Sequence, residues 1–238
     1  MKYYLTKYQS NIREQPLGKI LGVSHPNTFL YSISNLVEYS DIIWAFGFIY
    51  DMNGFWHEGY VALSRGEFVY MDEFTPHVQV GTPYRTTTYI TQLFGERPNF
   101  YKKNFPNINL AFHNGVDFVG VDKKIYTIAP GLAEIGYEKN GYGNFVKVSG
   151  ATLVTIYAHL SKVVISNNTY IDQDVLIGFE GNSGGELYNM GQHLHLDIRS
   201  NMVYNQPKGA LGRIDPLPYL NWENIIFPNY VNNLNNYN

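Results

Sequence analysis

The chain contains no cysteine among its 238 residues, which excludes disulfides and thiolate metal sites and leaves imidazole and carboxylate as the donors for any bound metal. An excess of charge of one sign is also missing. With 17 Lys and Arg against 20 Asp and Glu the formal net charge is -3, and no basic stripe forms of the kind a nucleic-acid partner demands. No stretch approaches the ~20 consecutive apolar residues of a membrane span, and the opening Met1 to Ser10 is too polar for the apolar segment of a secretory leader. The expectation is a protein without nucleic acid as partner, without membrane insertion, and made without an export leader if Met1 is the natural start.

A helical hydrophobic period is nearly absent as well. What is present is 45% hydrophobic and 16% aromatic residues, enough to bury one sizeable core or two modest ones. Short segments rich in Val, Ile, Tyr, Phe and Thr recur between Gly, Asn and Asp turns. Strands are predicted at Thr28 to Ile33, Ile42 to Tyr50, Phe145 to Val148, Leu153 to Ala158 and His193 to Arg199. The fold class that follows is all-β and mainly antiparallel. Between residues 76 and 88, Pro76, Gly81, Pro83 and Thr86-Thr-Thr88 interrupt the pattern. This suggests a small β-barrel domain over 1–78, a linker over 79–87, and a second domain over 88–238 that carries the chemistry. From Asn221 onward, Ile225-Ile-Phe227 and an Asn-rich end read as a strand or peripheral segment followed by a frayed tail.

Four of the seven histidines fall in three short patterns: His113-Asn-Gly-Val-Asp117, Tyr157-Ala-His159-Leu160 and His193-Leu-His195-Leu196. Residues two or four apart on a strand share a face, so His193 and His195 can project together, as can His113 and Asp117. A catalytic zinc takes three protein ligands and keeps an open position, and mixed His and Asp donors suit it. Four imidazoles and one carboxylate exceed that need by two, and hydrolysis has use for the surplus in moving a proton and stabilising an oxyanion. The spacing alone leaves the division open: both imidazoles of His-x-His could bind metal, with Asp117 or His113 behind them. His25, His57 and His77 have no partner at metal spacing and read as solvated, while Asp122, Asp172 and Asp174 read as turn formers. The stretch Gly178 to Gly185 lacks the Lys and following helix of a phosphate cradle and reads as a turn.

The three patterns in this order, from about Tyr89 to Leu220, resemble the lysostaphin-like or LytM-type metallopeptidases of family M23, which act on bacterial peptidoglycan. Thr91-Gln-Leu-Phe-Gly95, Gly141-Tyr-Gly-Asn144, Gly178-Phe-Glu-Gly-Asn-Ser-Gly184 and Asp215-Pro216 support the resemblance. Ile171-Asp-Gln-Asp174 and Pro130-Gly-Leu132 depart from it, in loops. The resemblance implies one Zn²⁺ held by His113, Asp117 and His195, with His159 and His193 as catalytic imidazoles. It implies a zinc endopeptidase that lowers the pKa of water toward ~7 and attacks a cross-bridge or stem-peptide carbonyl. The competing expectation, from another class, is a wall-binding or assembly module that keeps the peptidase fold without activity. With the substrate outside the cytoplasm and no leader in view, a phage lysin or virion-borne wall-degrading component is expected, with peptidoglycan as partner and phage tail or virion proteins as further candidates.

Residues 11 to about 74 resemble a bacterial SH3-like (SH3b) domain through Asn11-Ile-Arg13, Pro16, Gly18-Lys-Ile-Leu-Gly22, Trp44 and Gly59-Tyr-Val-Ala62. Such a domain implies tethering to the wall, which raises local substrate concentration. Trp56, beside the Asn53-Gly54 turn, is either an exposed stacking platform or part of the barrel filling.

Overall fold

A computed structural model describes residues 2–26, 28–53, 55–76, 80–185, 190–200, 209–221 and 223–226. The chain divides into two compact units, one built on residues 1–76 and the other on 77–94 and 101–228, with 95–100 counted in the first. Both are made of strands, and the pairing is antiparallel throughout the long ladders, in agreement with the all-β expectation.

The first unit is a nine-stranded sheet. Its strands are β1 (Lys2–Thr6), β2 (Ser10–Arg13), β3 (Ile20–Ser24), β4 (Phe29–Ser32), β5 (Val37–Tyr39), β6 (Ile42–Tyr50), β7 (Trp56–Arg65), β8 (Phe68–Val69) and β9 (Met71–Phe74). They run in the order β3-β2-β7-β6-β4-β1-β9, with β5 on β6 and β8 on β7. The period-two alternation of β7 buries Gly59, Val61 and Leu63, and the last two pack with Ile12, Leu30, Ala45 and Ile49 as a core. Trp56 is only 3% exposed and its ring meets Tyr31 and Tyr50 at 5.6 and 5.4 Å between centroids, so it fills the interior and is no external platform. His57 also departs from expectation. Its Nε2 lies 3.1 Å from Asp51 Oδ2, because Asp51 closes the turn by accepting from the backbone N–H of Asn53 and Phe55 and so is held beside it. His25 is exposed, as expected; His77 and Gly54 lie outside the described residues.

In the second unit the main sheet comprises β10 (Thr88–Gln92), β11 (Val116–Gly120), β13 (Gly131–Glu138), β14 (Gly143–Ser149), β15 (Leu153–Ala158), β17 (Thr169–Ile171), β19 (Leu194–Ser200) and β20 (Ile225–Ile226). Their order is β17-β13-β14-β15-β19-β11-β10-β20. A three-stranded sheet of β12 (Lys124–Tyr126), β18 (Leu176–Phe179) and β16 (Lys162–Val163) accompanies it. The predicted bounds of β6 and β15 coincide with the observed ones, and the end segment Ile225–Ile226 is a strand, parallel to β10. A short helix, α1, spans Pro98–Asn104.

The described part of the segment expected as a linker, 80–87, is counted in the second unit. Val80 bridges Leu220, Gly81 N–H donates to Ile128, and Tyr84 is fully buried with its hydroxyl on Glu180 at 2.7 Å. An apolar residue and a large aromatic in this stretch, Val80 and Tyr84, are buried within that unit. Among the described residues no helix is long and apolar enough to cross a membrane.

Candidate metal centre

The register of three adjacent strands builds the site. Asp117 on β11 sits directly across from His195 on β19, and His195 sits across from Ala158 at the end of β15. His159 follows immediately, in the left-handed conformation at φ 63°, a turn that swings its ring away from the ladder. His193 lies just before β19, where its N–H donates to Gly181 at 2.8 Å. His113 is not on a strand: it lies in the loop before β11, against the shared-strand-face expectation for His113 and Asp117. Leu93 anchors it instead, its carbonyl accepting from His113 Nδ1 at 2.9 Å, while Tyr101 stacks on the ring at 5.7 Å between centroids. Gly115 completes the approach, since a Cβ there would stand 2.6 Å from both His195 Cε1 and the Leu196 carbonyl.

All five residues singled out by the motifs are buried. His113, Asp117 and His195 bring one donor atom each to within 4.8 Å of one another. His113 Nε2 is 2.9 Å from His195 Nδ1 and 3.1 Å from Asp117 Oδ1, and His195 Nδ1 is 2.9 Å from the same oxygen. Because His113 Nδ1 donates to a carbonyl, the neutral ring presents a lone pair at Nε2. Three potential ligand atoms this close are held together either by shared protons or by a cation between them. A tetrahedral zinc with ligands at 2.0–2.1 Å has edges of about 3.3 Å, so this donor set fits the ion that its chemistry suggests.

The two remaining imidazoles stand alongside. His159 Nδ1 donates to the Ser183 carbonyl at 2.9 Å and His193 Nδ1 to the Gly191 carbonyl at 2.8 Å, which leaves the Nε2 of each neutral ring as an acceptor. Their rings are 4.8 Å apart, and His193 Nε2 is 3.8 Å from Asp117 Oδ2. Burial, aided by the neighbouring His195 and His193, pushes the His159 imidazolium down to about 4, so the ring is neutral at neutral pH. Burial likewise lowers His195. For Asp117 burial acts upward, but His113 and His193 reverse it and hold the carboxyl well below the usual range. The site thus combines an anionic carboxylate at Asp117 with a neutral imidazole at His159.

Several contributors escaped the motif reading. Leu93 and Ser183 act through backbone carbonyls, to which side-chain patterns are blind. Tyr142, Asp197 and Arg213 form a buried hydrogen-bonded group whose tyrosine ring is 5.8 Å from that of His195. Tyr142 lies in the Gly141-Tyr-Gly-Asn144 stretch and Asp197 is the next same-face position after His193 and His195, but the motifs give neither a role. Glu180 is buried and satisfied by Tyr84, the Gly120 N–H and Lys123, pinning the loop that leads to Ser183.

Comparison with known proteins covers this unit. Residues 111–207 match the model of Peptidase family M23. The peptidoglycan DD-endopeptidase ShyA of Vibrio cholerae is 31% identical over 104 residues, which are 43% of this chain and 23% of ShyA. Lysostaphin of Staphylococcus staphylolyticus is 29% identical over 132 residues, 51% of this chain and 26% of lysostaphin. The chain therefore spans about a quarter of the length of these two relatives. Among solved structures, the catalytic domain of lysostaphin from Staphylococcus simulans aligns at 26% identity with a TM-score of 0.39, covering 46% of this chain and 79% of that one. The family match and the sequence relatives together support an M23 peptidase domain, lysostaphin-like, over residues 111–207.

Proposed function

We propose that the second unit is a zinc-dependent endopeptidase acting on the peptide part of bacterial peptidoglycan. The observation that carries this reading is the convergence of His113, Asp117 and His195 on one point, with two further imidazoles beside it. Zinc there would supply a Lewis acid that polarises a peptide carbonyl and makes water acidic at neutral pH. The chain's own residues supply the rest. His113, Asp117 and His195 hold the ion, and the carbonyls of Leu93, Ser183 and Gly191 fix three of the ring orientations. His193 and His159 each present Nε2 to the reacting region, one to take the proton from water and the other to contact the developing oxyanion. The relative named as a peptidoglycan DD-endopeptidase favours this substrate, and the N-terminal unit, read as an SH3-like attachment module, would hold the enzyme on the wall.

Metal analysis and turbidity loss on purified cell walls test the proposal together. His113→Ala and Asp117→Ala should lose zinc and activity, whereas His159→Ala should keep zinc and lose at least 100-fold in turnover, on the order of a lost acid–base group. Activity surviving without zinc in either ligand variant would defeat the scheme. A wild-type protein that binds zinc yet leaves walls and defined peptidoglycan fragments intact would instead favour an inactive wall-binding module.

A further inference from the structure

His159 stands in the left-handed region at φ 63°, where a residue with a side chain persists only if its surroundings hold it there. Two other stretches of the chain supply that hold. The His159 N–H donates to the Tyr142 carbonyl at 2.8 Å. The next peptide is clasped by Asn144 from both sides: the Leu160 N–H donates to the Asn144 carbonyl at 2.9 Å, and Asn144 Nδ2 donates to the Leu160 carbonyl at 3.1 Å. The Ser183 hydroxyl completes the clasp. It donates to the same Leu160 carbonyl at 2.9 Å and accepts from the Asn144 N–H at 2.9 Å, while the Ser183 carbonyl accepts from His159 Nδ1. Backbones come this close because residue 143 is glycine, at φ 59°, where a Cβ would collide with the Ser183 carbonyl. Leu160 is fully buried, and its carbonyl is met by these two side chains.

We propose that Asn144 and the hydroxyl of Ser183 are positioning residues for His159: they clamp the peptide that follows it and so keep its imidazole in the left-handed turn, seated on the Ser183 carbonyl. Without the clamp the turn relaxes toward ordinary negative φ and carries the ring off that carbonyl. The buried Leu160 carbonyl would then lack its donors, which favours the same movement. Among the described residues, the side-chain hydrogen bonds of Asn144 and Ser183 stay within this clasp and reach none of His113, Asp117 and His195. The clamp therefore acts on His159 and leaves zinc retention alone. The inference deepens the reading of His159 as a catalytic imidazole and rests on it.

The test uses the full chain loaded with zinc and the variants Ser183→Ala, Asn144→Ala, their double combination and Ser183→Thr, which keeps the hydroxyl. Two readouts are taken: the rate at which diethyl pyrocarbonate modifies His159, followed by peptide mass mapping, and the kinetics on a defined peptidoglycan fragment. Circular dichroism and metal analysis report fold and zinc. Ser183→Ala should speed modification of His159 several-fold and lower kcat about 10- to 100-fold with KM and zinc content near wild type, as misplacement of a catalytic group does. The double variant should exceed either single change, and Ser183→Thr should restore most of both losses. A folded, zinc-loaded double variant with wild-type kcat and wild-type modification of His159 overturns the inference. If the double variant does not fold, the two single variants decide by the same criteria. A fall in kcat that Ser183→Thr leaves unrepaired, with His159 modified at the wild-type rate, marks a merely structural role and overturns it as well. Should wild type and His159→Ala cut the fragment equally, the catalytic reading of His159 has failed, whatever the modification rates show about the clamp.

Discussion

At the scale of single residues, the centre depends on a missing side chain as much as on those present. Gly115 lets the loop bearing His113 pass against His195, and a methyl group there would meet the ring and the Leu196 carbonyl at 2.6 Å. Gly115→Ala should therefore cost about 1–3 kcal/mol of stability by overpacking and weaken zinc binding as His195 is displaced. Thermal unfolding and chelator competition check the two effects, and a variant with unaltered affinity would show that the ring has room to move. The motif spacing singled out His113, Asp117, His159, His193 and His195, and these are the side chains that meet. Polar groups at short, regular intervals are visible in a sequence. The glycine's role was not visible, because it is set by a residue 80 positions away.

At the scale of elements, the strands were readable where alternation was strong. β6 and β15 begin and end where the Val, Ile, Tyr and Phe runs do, bounded by turn residues. Loops were less readable. His113 shares no strand with Asp117, and residues 80–87 pack within the second unit, since a few buried side chains decide a loop's path and leave no period behind. The loop running from β18 to Ser183 illustrates this. Glu180, with no exposed side-chain surface, ties it to Tyr84, Gly120 and Lys123, while Ser183 at its far end orients His159. Glu180→Ala should destabilise the protein by about 3 kcal/mol, because the Gly120 N–H then lies buried without that acceptor and the Tyr84 hydroxyl keeps only the Phe118 carbonyl at 3.5 Å. Chemical denaturation measures the loss. Turnover should fall along with stability as the His159 anchor loosens, and a fully stable variant would show that the loop is held by other contacts.

At the scale of the whole molecule, 21 tyrosines in a chain this rich in strand create a dependence on alkaline pH. Burial, before any neighbour, raises the phenols of Tyr84, Tyr142, Tyr157 and Tyr219, with Tyr157 and Tyr219 pushed up to about 12. A phenol whose folded pKa exceeds its unfolded value of 10.0 contributes stability that is complete below pH 10 and lost as pH rises through the folded pKa. Tyr157 alone accounts for on the order of 2–3 kcal/mol. Stability should hold to about pH 10 and fall steeply toward about 12, with part of the phenolate absorbance appearing only on unfolding. Tyr157→Phe should flatten that fall, though it gives up the hydrogen bond from Ile128 N–H at 2.7 Å; an unchanged profile would place the alkaline weakness elsewhere. Such coupling arises only when strands are assembled. By itself the sequence determined that the chain is built of strands, that cysteine takes no part, and which imidazoles and carboxylate are available, because composition and periodicity are local properties of the chain. Tertiary structure alone decided that Trp56 and Tyr84 are interior, that Asp51 holds His57, and that Asp197, Tyr142 and Arg213 gather behind His195. Those outcomes depend on register between strands and on burial, which no local pattern encodes.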